Sequence, residues 1–512
     1  MKYFIPAWYP EQHWWQNRAD QQATAFDDMI SLMSMHHQNE QPFQLLVLNY
    51  TPNLRTFLHR YELFDAAYWS VFDEIQGFTH QTPQAVDYRQ LDWPEGTEFL
   101  YLPSMIRALM PDDMHADIYF SQDGYMSRIA VFQSAVQQYC YIIDDRGYVS
   151  QIAYYDEQGT TTKQQYLTQE GDWILEVQLS DGKVRVNPQY QTHFVESYYP
   201  SMEAVIKEYL IHYRDQEMAQ PDAIVIAADV CHNAMLADIF SANKRCYSVF
   251  QQRLQASDAQ FETLDREASW LVDTLENEQR LITYRATKQL SNRLMRITPF
   301  DAQMLPNISS QLHETYIGLW VDGLEDTRLA DSLAQLVDYI REDTSLRIVL
   351  LSKRHQYLLP QWLKQNVATI NEQMNVSEKV SEAERELMKE DEPIDYVEIK
   401  SVPFEVDIIE ALSTLRIVID LSHEPDLFLQ ISCLSAGIPQ INMRTTDYVV
   451  HEMNGHVLEN DTTLQEALDY YLIKLKNWNQ SYAYAMKLAK KYASDKIIVQ
   501  LDALIEGENH GA

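Results

Sequence analysis

The shortages of this chain constrain it before its contents do. Only 13 of its 512 residues are glycine, well under half the usual share of about 7%. No G-x-G-x-x-G, P-loop or G-x-S-x-G pattern occurs, which excludes functions built on glycine-rich phosphate loops or a nucleophile elbow. A D-x-D triplet, the usual acidic ligation of a metal–nucleotide donor, is also missing. The four cysteines, Cys140, Cys231, Cys246 and Cys433, include no C-x-x-C pair. That excludes a disulfide framework and a cysteine zinc site, and predicts buried, reduced thiols. No stretch approaches the roughly 18 apolar residues of a membrane span. The opening Met1–Trp8 has neither an apolar h-region nor a small-residue cleavage site, so a cytoplasmic protein is expected. Cations are scarce too: 40 against 75 acids gives a formal charge of −35. Such a field repels nucleic-acid phosphates and anionic headgroups, so neither is expected as a partner.

What remains is 46% apolar and 22% charged residues over 512 positions, enough for a globular protein of two to four domains. Gln44–Asn49 reads as a buried strand with a turn at Thr51-Pro52, and the apolar spacing of 54–76 predicts a helix closed by Gly77. Between residues 117 and 190 glycines recur at 124, 147, 159, 171 and 182, each behind a polar turn. Aromatic and β-branched runs such as Tyr139–Ile143 and Trp173–Leu179 lie between them. Even spacing of strand and glycine turn predicts an antiparallel β-meander inserted into an α/β domain. Its tyrosines suit a sugar-binding or partner-binding surface as well as simple packing.

The α/β pattern returns with a helix at 202–212, strand 223–228 and a mostly helical stretch at 256–295. The second half opens with strand 316–321, helix 328–341 and strand 346–351, followed by a charge run at 377–392, strand 415–421 and closing helices from Thr463. The predicted organisation is 1–116 and 191–305 as one Rossmann-like half, 117–190 as the inserted meander, and 306–512 as a second Rossmann-like half.

One segment is more specific. Residues 415–458 run RIVIDLS, HEPDLFLQIS, CLSAGIPQIN and MNGHVL in order, which resembles the donor-binding half of retaining GT-B glycosyltransferases. There, two glutamates hold the sugar and ribose of a nucleotide sugar. Aligned on Gly437-Ile438-Pro439, the first falls at Glu424 and the second at Ser432. A serine cannot supply the carboxylate clamp on a ribose diol. The arginine and lysine that such folds place after the first strand of this half are replaced by Asp322-Gly323-Leu324-Glu325-Asp326, which would repel a diphosphate. Arg328 is the nearest cation. His451-Glu452 and His456 look like a loose zinc motif, but on a helix a five-residue spacing leaves one face, so a polar loop is expected and no metal or cofactor.

Longer blocks carry a closer resemblance. Tyr3-Phe4-Ile5-Pro6-Ala7-Trp8-Tyr9, Phe26-Asp27-Asp28, residues 48–55 (LNYTPNLR), Leu58-His59-Arg60, residues 68–76 (YWSVFDEIQ) and Ser435–Gln440 are similar to the first of the three accessory secretory proteins of the accessory Sec system, over essentially the whole chain. That resemblance implies a GT-B-like, non-catalytic protein. It further implies assembly with the second and third accessory secretory proteins, and contact with the accessory Sec motor ATPase and the glycosylated serine-rich repeat adhesin. A cytoplasmic location, peripheral at the translocon through those partners, goes with it. Three readings follow: a scaffold whose interdomain cleft keeps affinity for N-acetylglucosamine through Glu424, Gln430, Ser432, His451 and Asn454; an active glycosyltransferase; and a purely structural subunit with a vestigial cleft. For Glu424 the competing role is capping the helix that begins near Pro425. Trp8, Trp14 and Trp15 fit either a partner surface or core.

Overall fold

Strands buried on both faces read as unbroken apolar runs, and such runs form the centres of both parallel sheets here. The computed structural model describes residues 1–10, 12–17, 26–78, 82–121, 123–219, 222–251, 253, 258–377, 394–458 and 463–507. Two compact units emerge: unit 1 comprises Met1–Gln21, His36–Trp270 and Leu290–Arg293, and unit 2 comprises Gln22–Met35, Leu271–Gln289 and Leu294–Ala512. The charge run expected at 377–392 lies, from 378 onward, outside the described residues.

In unit 1 the strands β1 (Lys2–Ile5), β2 (Phe43–Val47) and β3 (Tyr68–Ser70) are followed by ten antiparallel strands, β4 (Glu98–Tyr101) to β13 (Tyr198–Tyr199). The chain then returns through β14 (Ala223–Ala227), β15 (Lys244–Val249) and β16 (Ser269–Val272). Six strands of this seven-stranded sheet are ordered β16-β15-β14-β1-β2-β3. Counted in chain order without the insert, that is the 3-2-1-4-5-6 winding of a dinucleotide-fold half.

The ten-stranded sheet is a meander in which every neighbour is the next strand in sequence. It is wider than the predicted 117–190, running from Glu98 to Tyr199. The extra hairpins have turns without glycine; in the turn between β5 (Ile106–Met110) and β6 (Met114–Phe120), Asp112 and Asp113 take φ of 60° and 58° instead. The helix predicted over 54–76 is broken in the same way. It stops at Arg60, Glu62 adopts φ 59°, and β3 intervenes before a second helix, Val71–Gln76. The stretch read as helical over 256–295 contains β16 and β17 (Leu294–Arg296) around the helix Leu275–Lys288.

Unit 2 holds β18 (Thr315–Trp320), β19 (Leu346–Ser352), β20 (Val397–Ser401), β21 (Leu415–Asp420), β22 (Gln440–Asn442) and β23 (Gly455–Val457). They form an all-parallel sheet in the order β20-β19-β18-β21-β22-β23. This is the same 3-2-1-4-5-6 winding. Its core joins Ile317, Leu319, Ile348, Leu350, Ile417 and Ile419 to one stripe of the helix Asp326–Glu342, namely Leu329, Leu333, Leu336, Val337 and Ile340. Each such side chain contributes about 1.5–3 kcal/mol by burial. The tryptophans Trp8, Trp14 and Trp15 are core of unit 1, at 5%, 8% and 8% exposure. Cys140, Cys246 and Cys433 are buried free thiols as expected, whereas Cys231 is exposed.

Candidate functional site

In an open parallel sheet, ligands bind beyond the carboxyl ends of the strands, where the strand order reverses. In unit 2 that point lies between β18 and β21. The residues following those strands and β19 define it: Asp322 after β18, Ser352-Lys353-Arg354 at the end of β19, and Asp420 to Asp426 at the end of β21.

These groups are already satisfied by one another. Asp426 is the N-cap of the helix Leu427–Ala436, its Oδ1 accepting the Leu429 N–H at 3.0 Å. Its other oxygen takes the Lys353 ammonium at 2.6 Å. Lys353 also lies 3.7 Å from the centroid of the Phe26 ring and 5.7 Å from that of Trp320. Phe26 is held in turn by the Glu405 carboxylate, which accepts its backbone N–H, and packs on Phe428. Burial raises the Glu405 pKa against the opposing pull of Lys353. Asp322 accepts from Ser352 Oγ at 2.8 Å and the Lys353 N–H at 2.7 Å, with Arg354 Nε at 3.4 Å. Asp420, fully enclosed, accepts from Ser422 Oγ at 2.5 Å and from the Asp426 N–H at 2.8 Å. Burial nevertheless pushes its pKa up to about 6.

A helix N-terminus offers unpaired N–H groups and the positive end of its dipole, which together make a ready anion site. Here the chain's own carboxylate takes that place. It also neutralises the neighbouring Lys353 ammonium.

The residues singled out from sequence scatter around this arrangement. Glu424 is close to it, but it binds Arg444 at 2.8 Å and does not cap the helix Leu427–Ala436, whose cap is Asp426. Burial raises the Glu424 pKa and Arg444 lowers it. Gln430 is buried, donating to Pro425 O at 3.2 Å and accepting from Thr446 Oγ1 at 2.7 Å, so both ends of its amide are engaged. Ser432 is buried in the helix Leu427–Ala436 at 3% exposure. Asn454 is fully buried and staples its own turn, bonding the Val450 N–H at 2.8 Å and Tyr448 O at 2.7 Å. His451 pairs by a single bridge with Gly455 near β23. With strands about 4.8 Å apart, β23 alone is roughly 10 Å from β21. Glu424 therefore stands just before the helix Leu427–Ala436 and Gln430 and Ser432 lie within it, while His451 and Asn454 belong to the sheet edge. The five do not converge.

His451, Glu452 and His456 do come together, because they stand on a turn leading into a strand and not on a helix. One ligand atom from each lies within 4.8 Å of the others. The helical-spacing argument against them does not apply to this geometry. Burial and the neighbouring His451 lower the His456 pKa. Arg328 is exposed in the first turn of its helix.

Lys353, Arg354, Arg444 and Asp426 were missed in the sequence. The signal was present in the position of Ser352-Lys353-Arg354 directly after an apolar strand, since the end of every parallel strand, not only the first, borders the crevice.

Comparisons with known proteins agree with this architecture. The family model for accessory Sec system protein 1 matches residues 1–507. A relative of that name from Staphylococcus aureus (strain NCTC 8325 / PS 47) is 45% identical over 515 residues, covering 99% of both chains. Among solved structures, a chain from the crystal structure of accessory secretory proteins 1, 2 and 3 of Streptococcus pneumoniae has a TM-score of 0.79 at 26% identity, covering 99% of each. A chain of the pneumococcal O-GlcNAc transferase GtfA, in complex with UDP and GlcNAc, has a TM-score of 0.67 at 11% identity, covering 100% of this chain and 99% of that one. That likeness establishes the GT-B-like fold: two Rossmann-like halves, the first carrying an antiparallel insert. With its full-length family match, the chain belongs to the accessory Sec system protein 1 family.

Proposed function

We propose that this protein is a non-catalytic component of accessory Sec export. In this reading it assembles with the second and third accessory secretory proteins, and the complex engages the glycosylated serine-rich repeat adhesin and the accessory Sec motor ATPase. It works in the cytoplasm and reaches the translocon through those partners. The observation that carries the non-catalytic part is the Asp426 carboxylate, which occupies the helix N-terminus and neutralises Lys353 at 2.6 Å. A transferase of this fold needs that end open to a diphosphate. Assembly is supported by the full-length similarity to a chain of the solved three-protein complex. Adhesin recognition rests on the family resemblance, with Glu424 and Gln430 as the residues to test on unit 2.

Calorimetric titration with a nucleotide-sugar donor, and separately with an N-acetylglucosamine-bearing serine-rich peptide, tests this reading. The expected result is no donor binding at millimolar concentration, with peptide binding by the chain or by its complex. Micromolar donor binding, lost in Glu424→Gln, would establish the alternative, an active glycosyltransferase acting on the adhesin, for which the transferase-like fold is the supporting observation. Peptide affinity unchanged by Glu424→Gln and Gln430→Ala would move adhesin recognition off this part of unit 2.

A further inference from the structure

The turn before β23 plays no part in the donor-site argument, yet it gathers the densest set of metal-ligating atoms among the described residues. We propose that His451, Glu452 and His456 form a binding site for a transition-metal dication of the zinc class, with the remaining coordination position left to solvent.

The backbone of the turn is fixed. Glu452 sits at φ 58°, in the left-handed region, and its N–H bonds Gly455 O at 2.8 Å. Asn454 ties the loop through Val450 and Tyr448. Gly455 allows the close approach, since a Cβ there would stand 2.3 Å from Gln440 O. This brings the His451 and His456 rings to 4.4 Å, at an interplanar angle of 68°. His456 is 5% exposed, and its Nδ1 is buried with no hydrogen-bond partner. Buried polar atoms in native proteins nearly always have a partner, and a bound ion is one way to supply it. Tyr470 and Tyr471 contact the His456 ring at centroid distances of 5.3 Å and 6.2 Å. The Glu452 carboxylate is exposed and forms no ion pair among the described residues.

Two imidazoles and one carboxylate suit zinc, cobalt, nickel or copper, and discriminate against magnesium and calcium, which prefer all-oxygen sets. Ligand atoms about 2.0–2.1 Å from a tetrahedral ion stand roughly 3.4 Å apart. The exposed side chains of His451 and Glu452 must therefore close on His456. His451 Nδ1 now accepts the Val457 N–H at 3.1 Å. A cation on that nitrogen displaces the amide, so the expected affinity is micromolar and not that of a closed structural zinc site.

The test uses tag-free full-length protein, stripped with chelator and titrated with cobalt(II) chloride. The visible band of tetrahedral cobalt should saturate at one equivalent per chain and be displaced by zinc. Magnesium should have no effect. His451→Ala, at an exposed position, should abolish the band, Glu452→Gln should weaken binding more than about 10-fold, and Cys231→Ser should leave it unchanged. Zinc should raise the melting temperature of the wild type but not of His451→Ala. No saturable cobalt or zinc binding up to millimolar concentration overturns the proposal. So does binding that persists in His451→Ala and Glu452→Gln, or that is lost in Cys231→Ser. Because the exposed variants carry the readout, the test stands even if His456→Ala folds poorly.

Discussion

Charged clusters occur in both units, but they are built to different ends. In unit 1 the turn between β8 (Val136–Ile143) and β9 (Val149–Tyr155) drives Asp144, Asp145 and Arg146 against the helices Leu54–Arg60 and Val71–Gln76. Arg146 donates to Asp73 at 2.8 Å, to Asp144 at 2.8 Å and to Phe78 O at 2.7 Å. Arg55 bonds Asp145, and also Asp73 at 3.1 Å. Asp144 and Arg146 are 1% and 3% exposed. This network pins a meander to a parallel layer. In unit 2 the pairs Lys353–Asp426, Arg354–Asp322 and Arg444–Glu424 line the strand ends where a fold of this kind takes its ligand. The first cluster connects two layers, and the second fills a site. Removing a member of the first should damage the fold. Removing a member of the second should chiefly change what the protein binds.

The largest effect is therefore expected at Arg146. Arg146→Ala leaves Asp73 and Asp144 buried without their principal cation, a class of change that costs about 3–5 kcal/mol. Denaturant unfolding should show that loss, while Lys353→Ala, with an exposed edge and a single carboxylate partner, should cost less than half as much. Equal costs would erase the distinction between the two clusters.

Next in size is a pH effect centred on Asp420 in unit 2. The Asp420 carboxyl has a folded pKa of about 6 because it is buried, against roughly 3.9 in an unfolded chain. A raised folded pKa means that the folded state holds the proton more tightly. The ionised group thus penalises the fold above pH 6, and the penalty disappears as pH falls from about 6 towards 4. At 1.36 kcal/mol per pKa unit the penalty is on the order of 2–3 kcal/mol. Unfolding free energy followed from pH 7 to pH 4.5 should show this gain in the wild type and lose it in Asp420→Asn. An identical pH dependence in both would show that Asp420 ionises freely.

A third change bears on how this fold can be read in its sequence. Gly147 has φ +87°, and a Cβ there would lie 2.4 Å from Gln84 O. Gly147→Ala should cost about 1–3 kcal/mol by backbone strain and loosen the same turn that presents Arg146, as thermal unfolding would report. Strictly spaced glycines such as this one made the meander legible, and unbroken apolar runs such as Ala223–Ala227 revealed the parallel strands. Elsewhere the chain's shortage of glycine hides its turns. Glu62, Asp112, Asp113, Gln289 and Glu452 all take positive φ, a conformation that costs a non-glycine residue roughly 1–2 kcal/mol and that no turn signature announces. The first ended an expected helix early, the next two concealed a hairpin at the meander's edge, and the last folded the two histidines together. The site was only partly legible for a related reason. Glu424 was found by alignment to a motif. Asp426, Lys353 and Arg444 matter only because β18, β19 and β21 are neighbours in space, and one strand's sequence does not specify its neighbours.

The smallest effect on stability should accompany the largest change in binding. Asp426→Asn keeps an amide oxygen able to cap the helix Leu427–Ala436, and asparagine is as good an N-cap as aspartate, so the loss should be under about 1 kcal/mol. The substitution removes the negative charge from the helix N-terminus and leaves Lys353 without its carboxylate. A helix end with a free ammonium beside it attracts anions, so pyrophosphate binding, expected to be undetectable in the wild type, should become measurable by calorimetry and should weaken with added salt. Asp426→Ala should lose about 1 kcal/mol more through the cap while opening the same site. If neither variant binds pyrophosphate, Asp426 is only a helix cap, and the proposed loss of donor chemistry rests on Ser432 and on the acids that follow β18. If both bind it, one carboxylate separates this chain from the anion-binding form of its own fold.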